Sequence, residues 1–597
     1  MLAPKGPPTR RSQRALLLLV LAVLSLAAGI GMRDPSPPDE PRFVLAAQHM
    51  IKTGDWLLPH RGSELYAHKP PLFMWTQAAA YVLVRDWRVA FLLPSLLAGI
   101  ATLWLTFDMA RRLWNPRVGV YASAALLVTL QFGLQAKRAQ IDMLLVLFTT
   151  LSMWALLRAT LIGSGASASS SRRSMFCMLG LAGFAAGVGT VTKGVGFLPM
   201  LALIPLALAQ SPLQFMKSAQ RPELATVFLQ TLHVRSYALL AFAFVLGTAV
   251  WLLPLLIGVV GSDDPALHAY AANILLRQTA ERYANPWHHL QPAWYYLQVM
   301  LTLWLPGALL LPWLLPAWWR RIKRRDPRQW VLLAWSLLVL LFFSLSPAKR
   351  EVYIFPALPA LCVAAAPLLP GLLRLRGVQR LLLGYTLALS LLLLATGLLG
   401  SFGTGRWPAR LLADPQFEVA DVEAVWRWLC VIGAVGMAGA LVWRRRHAGR
   451  ALLLFSLTLW TGYGVGVLPA LNEASSSRAL MVNVGKLIGP TAELGLLGWR
   501  EQQLLQADRP ARDFGFERPV NAQWPDAAAW LAEAPQSRWL LVLADAVSPC
   551  VDSSAIVKAG RANRRDWWLL PGHAMRTGCD PALQLPSPVT EREDSAD

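Results

Sequence analysis

Long apolar runs separated by short basic clusters set the pattern of this chain. Runs of about 17–25 residues, enough to cross a ~30 Å hydrocarbon core, lie near 88–110, 117–134, 143–160, 175–191, 194–210, 237–260, 292–316, 329–346, 353–372, 379–400, 426–443 and 451–468. Together with the N-terminal run Leu16–Gly31 they predict about thirteen transmembrane helices. The apolar segment 71–84 is too short to cross and predicts an interfacial or re-entrant helix. Beyond residue 469 the apolar runs shrink to strand length, as at Trp539–Asp545 and Trp567–Leu570, with a helical stretch near 524–534. The expected fold is therefore a polytopic α-helical membrane protein, 1–469, carrying a small C-terminal α/β domain, 470–597.

Charge gives these segments sides. The clusters Arg111-Arg112-Arg117, Arg172-Arg173, Arg320 to Arg328, Arg374-Arg376-Arg380 and Arg444-Arg445-Arg446 fall on one face if 71–84 does not cross, as the positive-inside trend requires. Lys5, Arg10, Arg11 and Arg14 precede the first helix, which reads as a retained anchor with a cytoplasmic N-terminus. The opposite, periplasmic face then receives 33–87, 135–142, 261–291, 347–352, 401–425 and the C-terminal domain, in a bacterial inner membrane. The net charge of +22 belongs to this topology rather than to nucleic-acid binding, since the 55% hydrophobic and 15% charged composition scatters the cations between spans. Cys177, Cys362 and Cys430 sit in apolar runs, whereas Cys550 and Cys579 share the tail and suit a disulfide in an oxidising compartment. Residues 163–171, Ser-rich, read as a flexible linker.

The polar residues with chemical potential lie on the outer face. Asp39-Glu40 follows a Pro-rich turn near the membrane surface, where a carboxylate can be tuned as a base; a helix N-cap pair is the alternative. In Tyr66-Ala67-His68-Lys69-Pro70-Pro71, Lys69 suits a lipid phosphate, against ordinary snorkelling. Asp142 ends a short outer loop and enters a span, a costly place for an unpaired acid. A further loop carries Arg282-Tyr283 and His288-His289, with aromatics that also suit an interfacial belt. Lys349-Arg350 with Tyr353 sets two cations on the outer side against the charge trend, which asks for an anionic partner. No GxxxxGK[ST] and no GxGxxG after a strand is present. The His-His pair and His68 leave a divalent metal open as an expectation, without tight ligand spacing.

The order DE, RF, GDW and Y-x-H-K-P-P-L-x-x-W resembles the first outer loop of the lipid-linked-sugar glycosyltransferases of the GT-C class. The resemblance is nearest to the 4-amino-4-deoxy-L-arabinose lipid A transferases, related to the protein O-mannosyltransferases. It continues through Asp142, Thr192-Lys193-Gly194, Arg282-Tyr283, KREVYIFPALPA and Leu468-Pro469-Ala470-Leu471-Asn472, over about residues 15 to 480. It implies an enzyme that moves a sugar from undecaprenyl phosphate to lipid A, another envelope glycan or a protein. Asp39 resembles the family's general base, and Asp142 a second functional acid. Lys69, Arg282 and Tyr353 resemble the groups that hold the donor phosphate. The family commonly has Glu before Lys-Pro-Pro, a residue associated with metal; this chain has His68 there. A transporter or flippase and a non-catalytic scaffold are the rivals, but no internal repeat is visible and the charges crowd one face.

Overall fold

The computed structural model describes residues 10–161, 168–210, 232–275, 290–403, 417–576 and 578–579. Among these, eight helices are long and apolar enough to cross a membrane: Trp87–Leu113, Ile141–Thr160, Arg172–Lys193, Val234–Gly261, Pro327–Leu345, Arg376–Ser401, Val419–Trp443 and Ala448–Ala470. Two bent pairs, Pro116–Leu127 with Leu130–Ala136 (73°) and Tyr295–Leu303 with Gly307–Lys323 (101°), would raise the number to ten.

Three of the thirteen expected runs are not long apolar helices among the described residues, for local reasons. The apolar part of the first helix, α1 (Arg10–Ala27), covers only Leu16–Ala27, and the run near 194–210 yields only the short helix Leu198–Ala209. The run near 353–372 breaks into Ala357–Ala365 and Leu369–Leu372, the second of which begins beside Pro370. Proline removes a backbone donor and crowds the preceding turn, so an apolar run need not be one helix. The expected short element appears as α3 (Leu72–Val84), 13 residues long. Of the Ser-rich segment 163–171, residues 163–167 lie outside the described residues, and 168–171 open the helix Ala168–Lys193 rather than a linker.

Packing in the bundle uses small residues. A Cβ at Gly187 would strike the carbonyl oxygen of Phe244, and one at Gly247 that of Phe184, so the helices Ala168–Lys193 and Val234–Gly261 meet backbone to backbone. That approach sets where Lys193, the last residue of the first of these helices, emerges.

At one end of the bundle the chain builds α2 (Glu40–Thr53), closed by Gly54 at φ 78°, and a two-stranded hairpin, β1 (His60–Arg61) and β2 (Glu64–Leu65). The C-terminal strands β3 (Glu493–Leu497), β4 (Ala511–Asp513), β5 (Arg538–Leu543), β6 (Val557–Ala562) and β7 (Arg565–Pro571) form one sheet in the order β4-β3-β5-β7-β6. The β3 pairings with β4 and β5 are parallel, and those of β7 with β5 and β6 antiparallel. Alternation along β5 divides its faces. Leu541 and Leu543 pack with the helix Arg478–Ile488, Leu540 and Val542 with the helix Val520–Glu533. Cys550 and Cys579 are joined, with Cα atoms 5.7 Å apart.

Candidate active site

The site is assembled from the loop before α2, the turn entering the helix Ile141–Thr160, the end of the helix Ala168–Lys193 and the loop before the helix Ala357–Ala365. Asp39 occupies the N-cap position of α2, yet its side chain makes no capping hydrogen bond. One carboxylate oxygen instead accepts from Gln140 Nε2 at 3.0 Å, and the other lies 3.5 Å from Arg42 Nη1. A side chain that leaves its own helix to meet a neighbouring loop is held for something other than capping.

Its neighbour Glu40 behaves oppositely. Glu40 is buried and forms a two-pronged ion pair with Arg33, at 2.5 and 2.7 Å, while the backbone N–H groups of Ser36 and Ala139 donate to it at 3.0 and 2.9 Å. Burial alone would raise its pKa; the charge and hydrogen bonds of Arg33 outweigh that and hold the carboxyl below the usual carboxylate range. With its lone pairs engaged, Glu40 ties the segment before α2 to the 137–140 turn.

Asp142, in the first turn of its helix, is buried and forms an ion pair with Lys193. The Lys193 ammonium also stands 5.0 Å from the centre of the Tyr353 ring. Arg350, half-buried in the same loop as Tyr353, has an Nε with no hydrogen-bond partner among the described residues. Burial opposes its charge, but the fields of Asp39, Glu351, Asp142 and Tyr353 outweigh that. Asp39, Asp142, Lys193, Arg350 and Tyr353 thus converge from four separate segments.

The remaining expected residues fall around this cluster or away from it. Lys69 is half-buried just ahead of α3. Tyr66 is fully buried, its hydroxyl pushed up by burial against the opposing pull of Arg42 and Arg61. Lys349 points elsewhere, donating to the Gln291 carbonyl at 3.0 Å. His68 Nε2 sits 3.2 Å from Glu517 in the C-terminal domain. Arg282, Tyr283 and the His288-His289 pair lie outside the described residues. Among the described residues no three His, Cys, Asp or Glu side chains gather as a metal site.

Lys193 and Arg42 entered the sequence reading only within the Thr192-Lys193-Gly194 and RF matches, without a role, and Gln140 and Glu501 were missed. Lys193 carried a usable signal, an isolated cation at the outer end of a span against the charge trend. Gln140 and Glu501 carried none, because their partners are distant in the chain.

Residues 68–251 match the family described as dolichyl-phosphate-mannose-protein mannosyltransferase. The fold is shared with ArnT from Cupriavidus metallidurans, solved bound to undecaprenyl phosphate, at a TM-score of 0.69 and 19% identity over 94% of this chain and 98% of that one. The helical bundle and these matches make the chain similar to the integral-membrane glycosyltransferases of the GT-C class. Within it the chain is ArnT-like. It is 28% identical, over 89% of its own length and 93% of the relative's, to an undecaprenyl phosphate-α-4-amino-4-deoxy-L-arabinose arabinosyl transferase of Pseudomonas aeruginosa. It is 31% identical to another bearing that name from Pseudomonas fluorescens, where the alignment spans about half of each protein, 54% of this chain and 51% of the relative.

Proposed function

We propose that the protein transfers 4-amino-4-deoxy-L-arabinose from undecaprenyl phosphate to lipid A on the periplasmic face of the inner membrane. The N-terminus is then cytoplasmic and the C-terminal domain periplasmic. The observation that carries this reading is the convergence of two acids, Asp39 and Asp142, on a cation, Arg350, whose Nε has no hydrogen-bond partner among the described residues. Such a cation suits an anionic ligand such as the donor phosphate.

In this mechanism Asp39 removes the proton from the acceptor hydroxyl as that oxygen bonds to the anomeric carbon of the sugar. The bond from that carbon to the phosphate oxygen breaks, and the electron pair leaves on the phosphate. Arg350, Lys69 and Arg282 balance the phosphate charge, with Tyr353 as hydrogen-bond donor. Asp142 holds Lys193 beside Tyr353, which keeps that wall of the site in shape. Burial around the cluster strengthens each of these interactions relative to water.

The match of residues 68–251 to protein mannosyltransferases supports a second reading with a protein acceptor. Proteoliposomes holding wild type or Asp39→Asn, supplied with undecaprenyl-phosphate aminoarabinose and lipid A, test the first. Transfer, followed by mass spectrometry of lipid A, is expected to fall about 10²–10⁴-fold with donor binding retained. Undiminished transfer removes Asp39 as the base, and wild-type modification of co-reconstituted membrane protein with lipid A untouched favours the second reading.

A further inference from the structure

Ion pairs join the first outer loop to the C-terminal sheet domain across more than 400 residues of chain. Arg42 Nε meets Glu501 at 2.7 Å, Arg61 reaches Glu517 at 2.8 Å and Glu501 at 3.5 Å, and Arg478 pairs with Asp34 at 3.1 Å. Asp513 accepts from the hydroxyl and backbone N–H of Ser63 at 2.6 and 3.0 Å. Within this seam Arg42 has a second neighbour, Asp39, 3.5 Å from its Nη1.

We propose that Glu501 is a positioning residue for transfer: by holding Arg42 through Nε it stops that guanidinium from closing onto Asp39, so that Asp39 stays a competent base. The inference rests on Asp39 being the base. Its physical content is a competition between two carboxylates for one cation. At 2.7 Å to Glu501 and 3.5 Å to Asp39, Arg42 makes a charge-assisted hydrogen bond to the first and only a longer electrostatic contact to the second. A full ion pair on Asp39 would stabilise its ionised form and lower its proton affinity, the opposite of what proton abstraction needs.

Glu501 is built to hold this position. Its side chain is 4% exposed, and Arg61 stands beside it as a second cation. The short helix it begins is fixed by Gln503, which accepts from the Arg500 backbone N–H at 2.9 Å and donates to Ser477 Oγ at 3.1 Å. Among the described residues, the charged and titratable groups that act on Asp39 include Arg42 on its own helix, Arg350 from the loop before Ala357–Ala365 and Tyr66 from the loop after the hairpin; the neutral Gln140 donates from the fourth side. Glu501 faces only Arg42 and Arg61 among the described ion pairs. The C-terminal domain therefore supplies the counter-charge that sets how Arg42 is shared.

The test uses the full-length protein in proteoliposomes with undecaprenyl-phosphate aminoarabinose and lipid A, following kcat and KM against pH. Glu501→Gln is expected to lower kcat about tenfold, to leave the donor KM within about twofold, and to move the acid limb of the kcat profile down by about half to one pH unit. Glu501→Asp restores most of the loss, and Asp513→Asn, which loosens the same seam away from Arg42, leaves both kcat and the limb in place. In an Arg42→Gln background the Glu501→Gln change has no further effect. An unshifted limb in Glu501→Gln, equal losses in Asp513→Asn, or additive losses in the double variant would each overturn the proposal. Asp39→Asn run alongside separates the two ideas: if it stays active the base assignment fails, whereas an inactive Asp39→Asn beside a wild-type-like Glu501→Gln defeats the positioning role alone.

Discussion

Asp39 and Glu40 are adjacent, chemically near-identical, and put to different uses. Glu40 is consumed by Arg33 and two backbone donors, while Asp39 keeps a neutral donor, Gln140, and a shared cation. Both were legible as acids beside the membrane; which one is committed to structure was not, because Arg33, Ala139 and Gln140 reach them only in the folded chain. Replacing Gln140 with Ala removes the hydrogen bond that orients Asp39 Oδ2, so kcat should fall about three- to tenfold at an unchanged thermal midpoint, measured by transfer assay and melting of the same sample. Lys193 presents the opposite case. Lys193→Met leaves the buried Asp142 without its counter-charge, an expected loss of about 3–5 kcal/mol read from denaturant unfolding in detergent. Adding Asp142→Asn should recover part of it.

Helices show where hydropathy succeeds and where it overreaches. Eight of the expected crossings appear as continuous helices because their side chains are apolar for a full membrane thickness. The bent pair Tyr295–Leu303 with Gly307–Lys323 and the short segment at Ala357–Ala365 have equally apolar sequences, but Pro306 and Pro367 stand at their breaks. Close packing also joins the end of α1 to the last span. A Cβ at Gly464 would run into the carbonyl oxygen of Ala28 and crowd Lys137 Nζ, while Gly29, at φ 88°, faces Gly464 from the other side. Gly464→Ala should therefore destabilise the protein by about 1–3 kcal/mol, visible as a lowered unfolding midpoint in detergent. Had the two ends merely lain near each other, the substitution would be neutral.

Taken together, the bundle and the C-terminal domain meet at the site through buried and half-buried charge, which makes the assembly pH-sensitive. Lys137 donates to the carbonyls of Leu26 and Ala28 at 3.1 and 2.7 Å, and burial together with the nearby Arg33 lowers its pKa to about 7. Between pH 7 and its ordinary value of 10.5 the unfolded chain binds a proton here that the folded protein does not, so stability rises with pH across that window. The neutral amine still has two N–H groups for its two carbonyls. Detergent-solubilised wild type should gain stability between about pH 7 and 10, and Lys137→Met should gain less. On the acid side, Glu517 is lowered to about 2 by its hydrogen bond to His68 and by the charges of His68 and Arg61. Its contribution, present above the ordinary 4.5, is lost as pH falls toward 2.

Membrane residence, the main spans, the polar first loop and the two acids Asp39 and Asp142 follow from local properties of the chain: apolar length, charge alternation and the cost of an acid at the bilayer edge. These need no knowledge of what lies next to them. The fate of each polar group depends on neighbours far away in sequence. Glu40 becomes structural because Arg33 and the 137–140 turn reach it, Lys193 finds Asp142 across 51 residues, and Arg42 is divided between Asp39 and Glu501 because the C-terminal sheet docks on the first loop. Such pairings carry no periodicity and no spacing, so the folded arrangement alone selects them.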